Sequence, residues 1–282
     1  MDTLLEPFRY DFFVNAIVVA TLAGALCGLI GVYVVLRGMS YIGHGLSHAI
    51  FGWAVASTAL QVPVYAGAGV GGLVSAVLIL LIARRRSVGA DAAIGVITSS
   101  SFAVGIVIIS VVGSVGGDLE ALLFGQVLGV ALSDVVVVAV VGALVAAVVF
   151  FLYRRLLFTT FDPDVAEVSG VSTTGMDIVL AVLLTAIITV CMNILGVTLI
   201  AATLVIPPVI GRLLTDSFHR MLWISVATGT FCGFAGVYLS YYLDWASGPA
   251  VVLTASVIFV AAYVVSTIRR RRLPEAALDA HV

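Results

Sequence analysis

VVVVAVVGALVAAVVFFLY, from Val135 to Tyr153, holds no charged or amide side chain and ends against Arg154 and Arg155. A helix needs ~20 predominantly apolar residues to cross a bilayer core about 30 Å thick, so a run of this length stopped by two arginines reads as a membrane span with its foot among the headgroups. Comparable runs recur outward in both directions: Phe13 to Leu36, His44 to Leu60, Val64 to Ala83, Ala92 to Gly113, Val130 to Tyr153, Gly175 to Leu195, Val197 to Leu214, Leu222 to Leu243 and Ala250 to Ile268. The chain has 282 residues, 62% hydrophobic and 10% charged, with a mean hydropathy of +1.24, far more apolar surface than one soluble core can hide. The expected fold is therefore an all-α polytopic membrane protein, residues 1–282 forming a single transmembrane domain of about nine helices. The second and seventh spans are short or broken, so eight is the alternative.

The basic residues orient the bundle. There is no lysine, and with a cytoplasmic C-terminus this count puts Arg37, Arg84, Arg85, Arg86, Arg154, Arg155, Arg212, Arg220, Arg269, Arg270, Arg271 and Arg272 on the inner side, leaving Arg9 opposite. Nine spans place the N-terminus outside, whereas eight would move it inside. Met1 to Tyr10 lacks the basic start and small-residue cleavage site of a signal peptide, so the first span is expected to stay. A formal net charge of −2 gives no reason to expect a nucleic-acid partner. Cys27, Cys191 and Cys232 are single residues within spans, without CxxC spacing, and read as packing residues.

Three features stand out within this frame. Gly24, Gly28 and Gly31 in the first span and Gly229, Gly233 and Gly236 in the eighth have the spacing that lets helix backbones approach closely. Between the fifth and sixth spans, residues 160–174 form a polar insert. Thr160 or Asp162 can cap a short helix there, Pro163 suits its first position, and Gly170 can end it. Asp162, Asp164 and Glu167 make that helix acidic toward its N-terminus, which the helix dipole favours. The third feature is Pro207-Pro208 inside the seventh span, which removes two backbone donors and should bend or break the helix, either as a packing kink or as part of a transport path.

The candidate binding residues are His44 and His48, in MSYIGHGLSHAIFGW from Met39 to Trp53. On a helix, positions four apart share a face, so two imidazoles can reach one metal ion, while Gly43, Gly45 and Ser47 keep the segment slim. Ionisable side chains within a span are candidates for function, the alternative being a pair of interhelical hydrogen bonds.

Together with GLIGVYVVLRGMSYIGHGLSHA (Gly28 to Ala49), the stretches FDPDVAEVSGV (Phe161 to Val171) and GVTLIAATLVIPP (Gly196 to Pro208) resemble the permease subunits of ABC importers for zinc, manganese and iron. The resemblance runs the length of the chain in order. It implies a homodimer in the bacterial inner membrane, each protomer resting on a cytoplasmic ATPase through a coupling helix, with an extracytoplasmic binding protein delivering the ion. The segment Asp162 to Gly170 matches the coupling helix, and Asp162, Asp164, Ala166, Glu167 and Gly170 are the expected contact residues. The family's metal site is a carboxylate followed four residues later by histidine. His48 matches the histidine, whereas His44 stands where the carboxylate is usual.

Replacing a hard oxygen donor by nitrogen should weaken manganese relative to zinc, so the expected cargo is zinc, with manganese or iron next, and no permanently bound cofactor. The chain has no GxxxxGK[ST] run, so ATP hydrolysis must belong to another polypeptide. An intramembrane zinc enzyme would need a general base, but the residues between the histidines are Gly45, Leu46 and Ser47. An ion-coupled secondary carrier would usually bear acids inside its spans, whereas Asp91, Asp118, Glu120, Asp134, Asp177 and Asp244 fall at span ends or in loops. His219 and His281 read as solvated, Arg269 to Arg272 as an anchor at the inner surface that also meets anionic lipid, and the loop from Gly113 to Gly125 as an outward-facing turn.

Overall fold

A computed structural model describes residues 6–83, 88–112, 119–126 and 129–271. Arg84 to Arg86, Asp118, Arg272 and His281 lie outside the described residues. The helices are α1 (Asp11–Leu36), α2 (Ser40–Ala59), α3 (Val64–Ala83), α4 (Ala90–Val112), a short α5 (Leu119–Phe124), α6 (Leu132–Phe161), a short α7 (Pro163–Val168), α8 (Thr173–Leu195), α9 (Val197–Leu214), α10 (Phe218–Leu243) and α11 (Ser247–Arg271). The α3 and α9 boundaries coincide with the apolar runs in the sequence. By contrast, α6 continues through Arg154 and Arg155 to Phe161, because arginine is a good helix former and nothing there stops the backbone ladder.

Eight of these helices are long and apolar enough to cross a bilayer, and α2, which carries the histidines, is not among them. Contacts at the two ends of the bundle show that α2 nevertheless traverses it. At one end Arg37, just before α2, bonds Thr159, Thr160 and Asp177, where α6 finishes and α8 begins. At the other, Tyr65, just after α2, donates to Asp134 at the start of α6 (2.9 Å) and accepts from Asn193 near the end of α8 (2.7 Å). Since α6 is 30 residues long and so about 45 Å from end to end, α2 must run the full depth of the protein. Its modest hydropathy is tolerated because Ile42, Leu46, Ala49, Ile50, Ala54 and Val55 are buried in protein.

Because lipid tails solvate an apolar helix as well as another helix does, assembly relies on close packing at small residues. α1 and α8 occupy the centre, and α4, α6 and α11 present much of the outer surface. α1 crosses α10 with Gly24 against the Gly229 backbone, Gly28 against Ser225, and Gly233 against Ala20, so tightly that a methyl group at any of the three would strike a carbonyl. The Ser225 hydroxyl donates to the Gly28 carbonyl at 2.7 Å and fixes the register.

In contrast to the expected break, α9 passes through Pro207 and Pro208 as one helix. The Leu204 carbonyl, which loses its usual donor to Pro208, is covered by Gly31 of α1, where a Cβ would collide with it. The actual discontinuity is at Gly196, a buried residue with φ of 75° that alone separates α8 from α9. Carbonyls released there find donors in other elements, Asn193 from the Gln126 N–H and Ile194 from the Ser247 hydroxyl.

This packing makes opposite forecasts for two helix glycines. Gly24→Ala should destabilise the purified protein by about 1–3 kcal/mol or prevent its folding. Gly69→Ala, with nothing within 4 Å of its new methyl, should raise stability by about 0.5–1 kcal/mol. Thermal unfolding in detergent reads both.

Candidate metal centre

α1 ends at Gly38, whose φ of 68° suits glycine, with Gly38 N–H bonding the Val35 carbonyl and Met39 N–H the Val34 carbonyl. This glycine-stopped turn launches α2 at Ser40. His44 and His48 follow one turn apart, their ring centroids 4.7 Å from each other and the ring planes at 71°. Both imidazoles can adopt such a spacing on one ion, since each metal–nitrogen bond is only ~2.0–2.1 Å long. His44 is exposed on the protomer surface and His48 half-buried, with Tyr41 beside the first ring and Phe102 beside the second.

The residues between the histidines hold the neighbouring helix close. A Cβ on Gly45 would run into Ile94 and the Thr98 hydroxyl of α4, and Ser47 turns its hydroxyl back onto the Gly43 carbonyl at 2.7 Å. Deeper along the same contact, Gly52 of α2 meets the Ser101 carbonyl and Gly105 of α4 meets Gly52. Between α2 and α4 lies an open cavity of about 330 Å³, bordered by Tyr41, His44, His48, Thr98, Ser99 and Phe102. The Thr98 hydroxyl oxygen is buried and has no hydrogen-bond partner among the described residues.

Two imidazoles and nearby hydroxyls can hold a divalent ion only in an incomplete shell. Among the described residues no group of three or more His, Cys, Asp or Glu side chains comes together. Further ligands must therefore come from water or from another chain on the exposed side of His44.

The second predicted element forms as the capping signals implied. The Asp162 carboxylate, rather than Thr160, accepts from Val165 N–H at 3.1 Å, and Pro163 opens α7. Gly170, with φ of 83°, closes it through Val171 N–H to the Ala166 carbonyl and Gly170 N–H to the Glu167 carbonyl. One expectation is corrected: Ala166 is 0% exposed, turned inward on a helix that touches α6 and α8, and offers no side-chain surface to a partner. The outward face consists of Asp164, Val165, Glu167 and Val168, the last 91% exposed. The valines stand three apart, an apolar pair on a solvated helix whose sequence is otherwise marked by its acids.

Arg37, one of the arginines assigned to the inner side, has a side chain only 7% exposed and is paired with Asp177, 29% exposed. Its Nε donates to Thr160 at 3.0 Å, Nη1 to Asp177 at 2.5 Å and Nη2 to Thr159 at 2.8 Å. Burial lowers the pKa of this guanidinium from its ordinary value, and the Asp177 carboxylate works in the opposite direction. No local motif links these residues, since the partners are separated by more than a hundred positions in the chain. Elsewhere His219 is exposed and accepts from the Trp223 indole at 3.1 Å, and the three cysteines are buried free thiols.

Residues 9–266 match the ABC 3 transport family. The manganese transport system membrane protein MntC of Halalkalibacterium halodurans is 34% identical over 93% of this chain and 89% of its own length. A probable iron transport system membrane protein of Haemophilus influenzae is 32% identical over 96% of this chain and 99% of its own. Among solved structures, PsaBC from Streptococcus pneumoniae in complex with Fab superposes with a TM-score of 0.84 at 31% identity, covering 93% of this chain and 94% of that one.

If the imidazoles act together, His44→Ala or His48→Ala should each weaken binding of Zn²⁺ to the purified protein at least tenfold, about 1.4 kcal/mol, while leaving the melting temperature unchanged. Isothermal titration of Zn²⁺ into wild type and the two variants measures it.

Proposed function

The chain belongs to the ABC 3 transport family, and we propose that it is the membrane-spanning permease subunit of an ATP-driven importer of divalent transition-metal ions. The observation that carries the reading is the histidine pair on the edge of the α2–α4 cavity, two imidazoles one helical turn apart on a helix that crosses the bundle. The arginine-rich end of the bundle lies in the cytoplasm and the opposite end receives the ion from an extracytoplasmic binding protein. Because the chain lacks a phosphate-cradling loop, a separate ATPase supplies the work and docks on α7. The docking surface is Asp164, Val165, Glu167 and Val168, with Asp162 as the cap that starts the helix and Gly170 as the stop. A second copy of the chain faces the exposed side of His44, so that two histidine pairs flank one path.

Relatives of this chain carry names for manganese and iron transport, and those ions come first by likeness. The donor set argues differently. With His44 in place of the carboxylate usual in the family, nitrogen ligands order the ions zinc over iron over manganese. We propose zinc as the preferred cargo on that ground. The acids at the two ends of the bundle do not suit an ion-coupled carrier, since Asp134 is bonded to Tyr65 and Asp177 to Arg37.

In proteoliposomes holding the permease with its ATPase, uptake should require ATP and be abolished by the His44→Ala/His48→Ala double substitution, with ATPase assembly intact. Zinc should outcompete manganese. Unimpaired uptake by the double variant would remove the histidines from the path, and manganese preference in wild type would overturn the donor argument alone. A separate check concerns docking: Val168→Asp should reduce co-purification of the ATPase about tenfold or more, as expected for a buried apolar contact replaced by charge.

A further inference from the structure

We propose that Arg37 is a positioning residue that ties movement of α7 to movement of the histidine helix, so that ATP consumption and metal passage proceed together. The inference rests on the reading of α7 as the ATPase-docking helix.

Three nitrogens of one guanidinium reach three residues on the two segments that carry α7. Thr159 and Thr160 are in the final turn of α6, immediately ahead of the Asp162 cap, and Asp177 is in the second turn of α8, just beyond the stop at Gly170. The threonine oxygens are held ready for this contact, because the Thr159 hydroxyl donates backward to the Arg155 carbonyl at 3.0 Å and the Thr160 hydroxyl to the Leu156 carbonyl at 2.6 Å. The lone pairs that remain point to Arg37. On its other side, Arg37 is the C-cap of α1 and precedes the first residue of α2 by a tight turn anchored on Val34 and Val35. A push on α7 is therefore delivered, through one buried cation, to the root of the helix bearing His44 and His48.

The physical character of the contact suits transmission. A guanidinium remains protonated at any accessible pH, so the cationic side of this tie is always present. Its planar fork fixes direction as well as distance, which a flexible ammonium does not. Separating Arg37 from Asp177 would leave a mostly buried charge uncompensated, so the two flanks of α7 and the α1–α2 turn move as one body. At the far end, the Tyr65 bonds to Asp134 and Asn193 join the opposite ends of α6 and α8 to α3, so the unit that carries α7 is held at both ends.

The test measures Mn²⁺ or Zn²⁺ taken up per ATP hydrolysed, in proteoliposomes containing the permease with its ATPase. Arg37→Ala and Asp177→Asn should assemble with the ATPase and hydrolyse ATP, yet lose about tenfold in metal moved per ATP, within the usual range of coupling energies. Arg37→Lys, keeping charge but not the fork, should fall between wild type and Arg37→Ala. Thr159→Val/Thr160→Val, which keeps the ion pair and removes two acceptors, should also lower the ratio. A ratio unchanged in Arg37→Ala and Asp177→Asn would overturn the inference, as would uptake lost only in proportion to the assembled complex recovered. Wild-type uptake independent of ATP would instead overturn the reading of α7 as the docking helix.

Discussion

In a bilayer, two apolar helices gain little by leaving lipid for each other, so how closely backbones approach governs what the rest of the bundle can do. Here that constraint is met where α1 crosses α10, glycine against carbonyl, at Gly24, Gly28, Gly229 and Gly233. The crossing puts α1 at the centre and sets the height of everything on it. Gly31 then comes to rest over the Leu204 carbonyl that Pro208 leaves without a donor, and Arg37 arrives beside the ends of α6 and α8. A bulky residue at the crossing would displace all three consequences together, because α1 is a single continuous helix.

Polar side chains can be carried through the membrane only where protein replaces lipid as their surroundings, and α2 is the clearest instance. It is too polar to qualify as a span by composition, yet it crosses the bundle with its apolar face packed and its polar groups answered. The Trp53 indole donates to the Ser75 hydroxyl of α3 at 3.1 Å, which pairs in turn with Ser101 of α4 at 3.2 Å. The histidines are the part of α2 not enclosed in this way. They face the cavity, where an unpartnered Thr98 hydroxyl stands nearby. What distinguishes the site is thus that, among the described residues, its Thr98 hydroxyl lacks a hydrogen-bond partner beside a helix whose Trp53 and Ser47 have theirs.

Much of this was legible in the sequence because the information was local. Span ends at Val64, Ala83, Val197 and Leu214 follow from where apolar runs stop, and the limits of α7 follow from Asp162, Pro163 and Gly170, each of which acts within a few residues of itself. The closeness of His44 to His48 follows from helix periodicity alone. Features that depend on distant partners did not show. The burial of Arg37 depends on an acid and two threonines far along the chain, and nothing local says that Ala166 is on the inward side of a six-residue helix. The Gly196 boundary coincides with the gap between the sixth and seventh apolar runs, whereas the continuity of α9 through Pro207 and Pro208 depends on Gly31 of α1, far away in the chain, lying over the carbonyl that Pro208 leaves without a donor.

The incompleteness of the histidine site is itself consistent with passage. A closed four-ligand zinc site can hold its ion with about 10–16 kcal/mol. At the upper end that is a picomolar dissociation constant, and even with filling at ~10⁹ M⁻¹ s⁻¹ such a site would empty about once in a thousand seconds. A conduit must bind strongly enough to select and weakly enough to release. Two imidazoles on an open cavity, with no third His, Cys, Asp or Glu side chain grouped with them among the described residues, offer fewer donors to hold the cation. On the proposed metal reading, nitrogen in place of oxygen at His44 would act on selection by penalising hard ions, while the open shell would act on release. On the reading proposed above, the pair stands on the helix whose root Arg37 holds, so a shift of that root would carry both imidazoles together past the facing helix α4 and so change their place relative to Thr98 and Phe102.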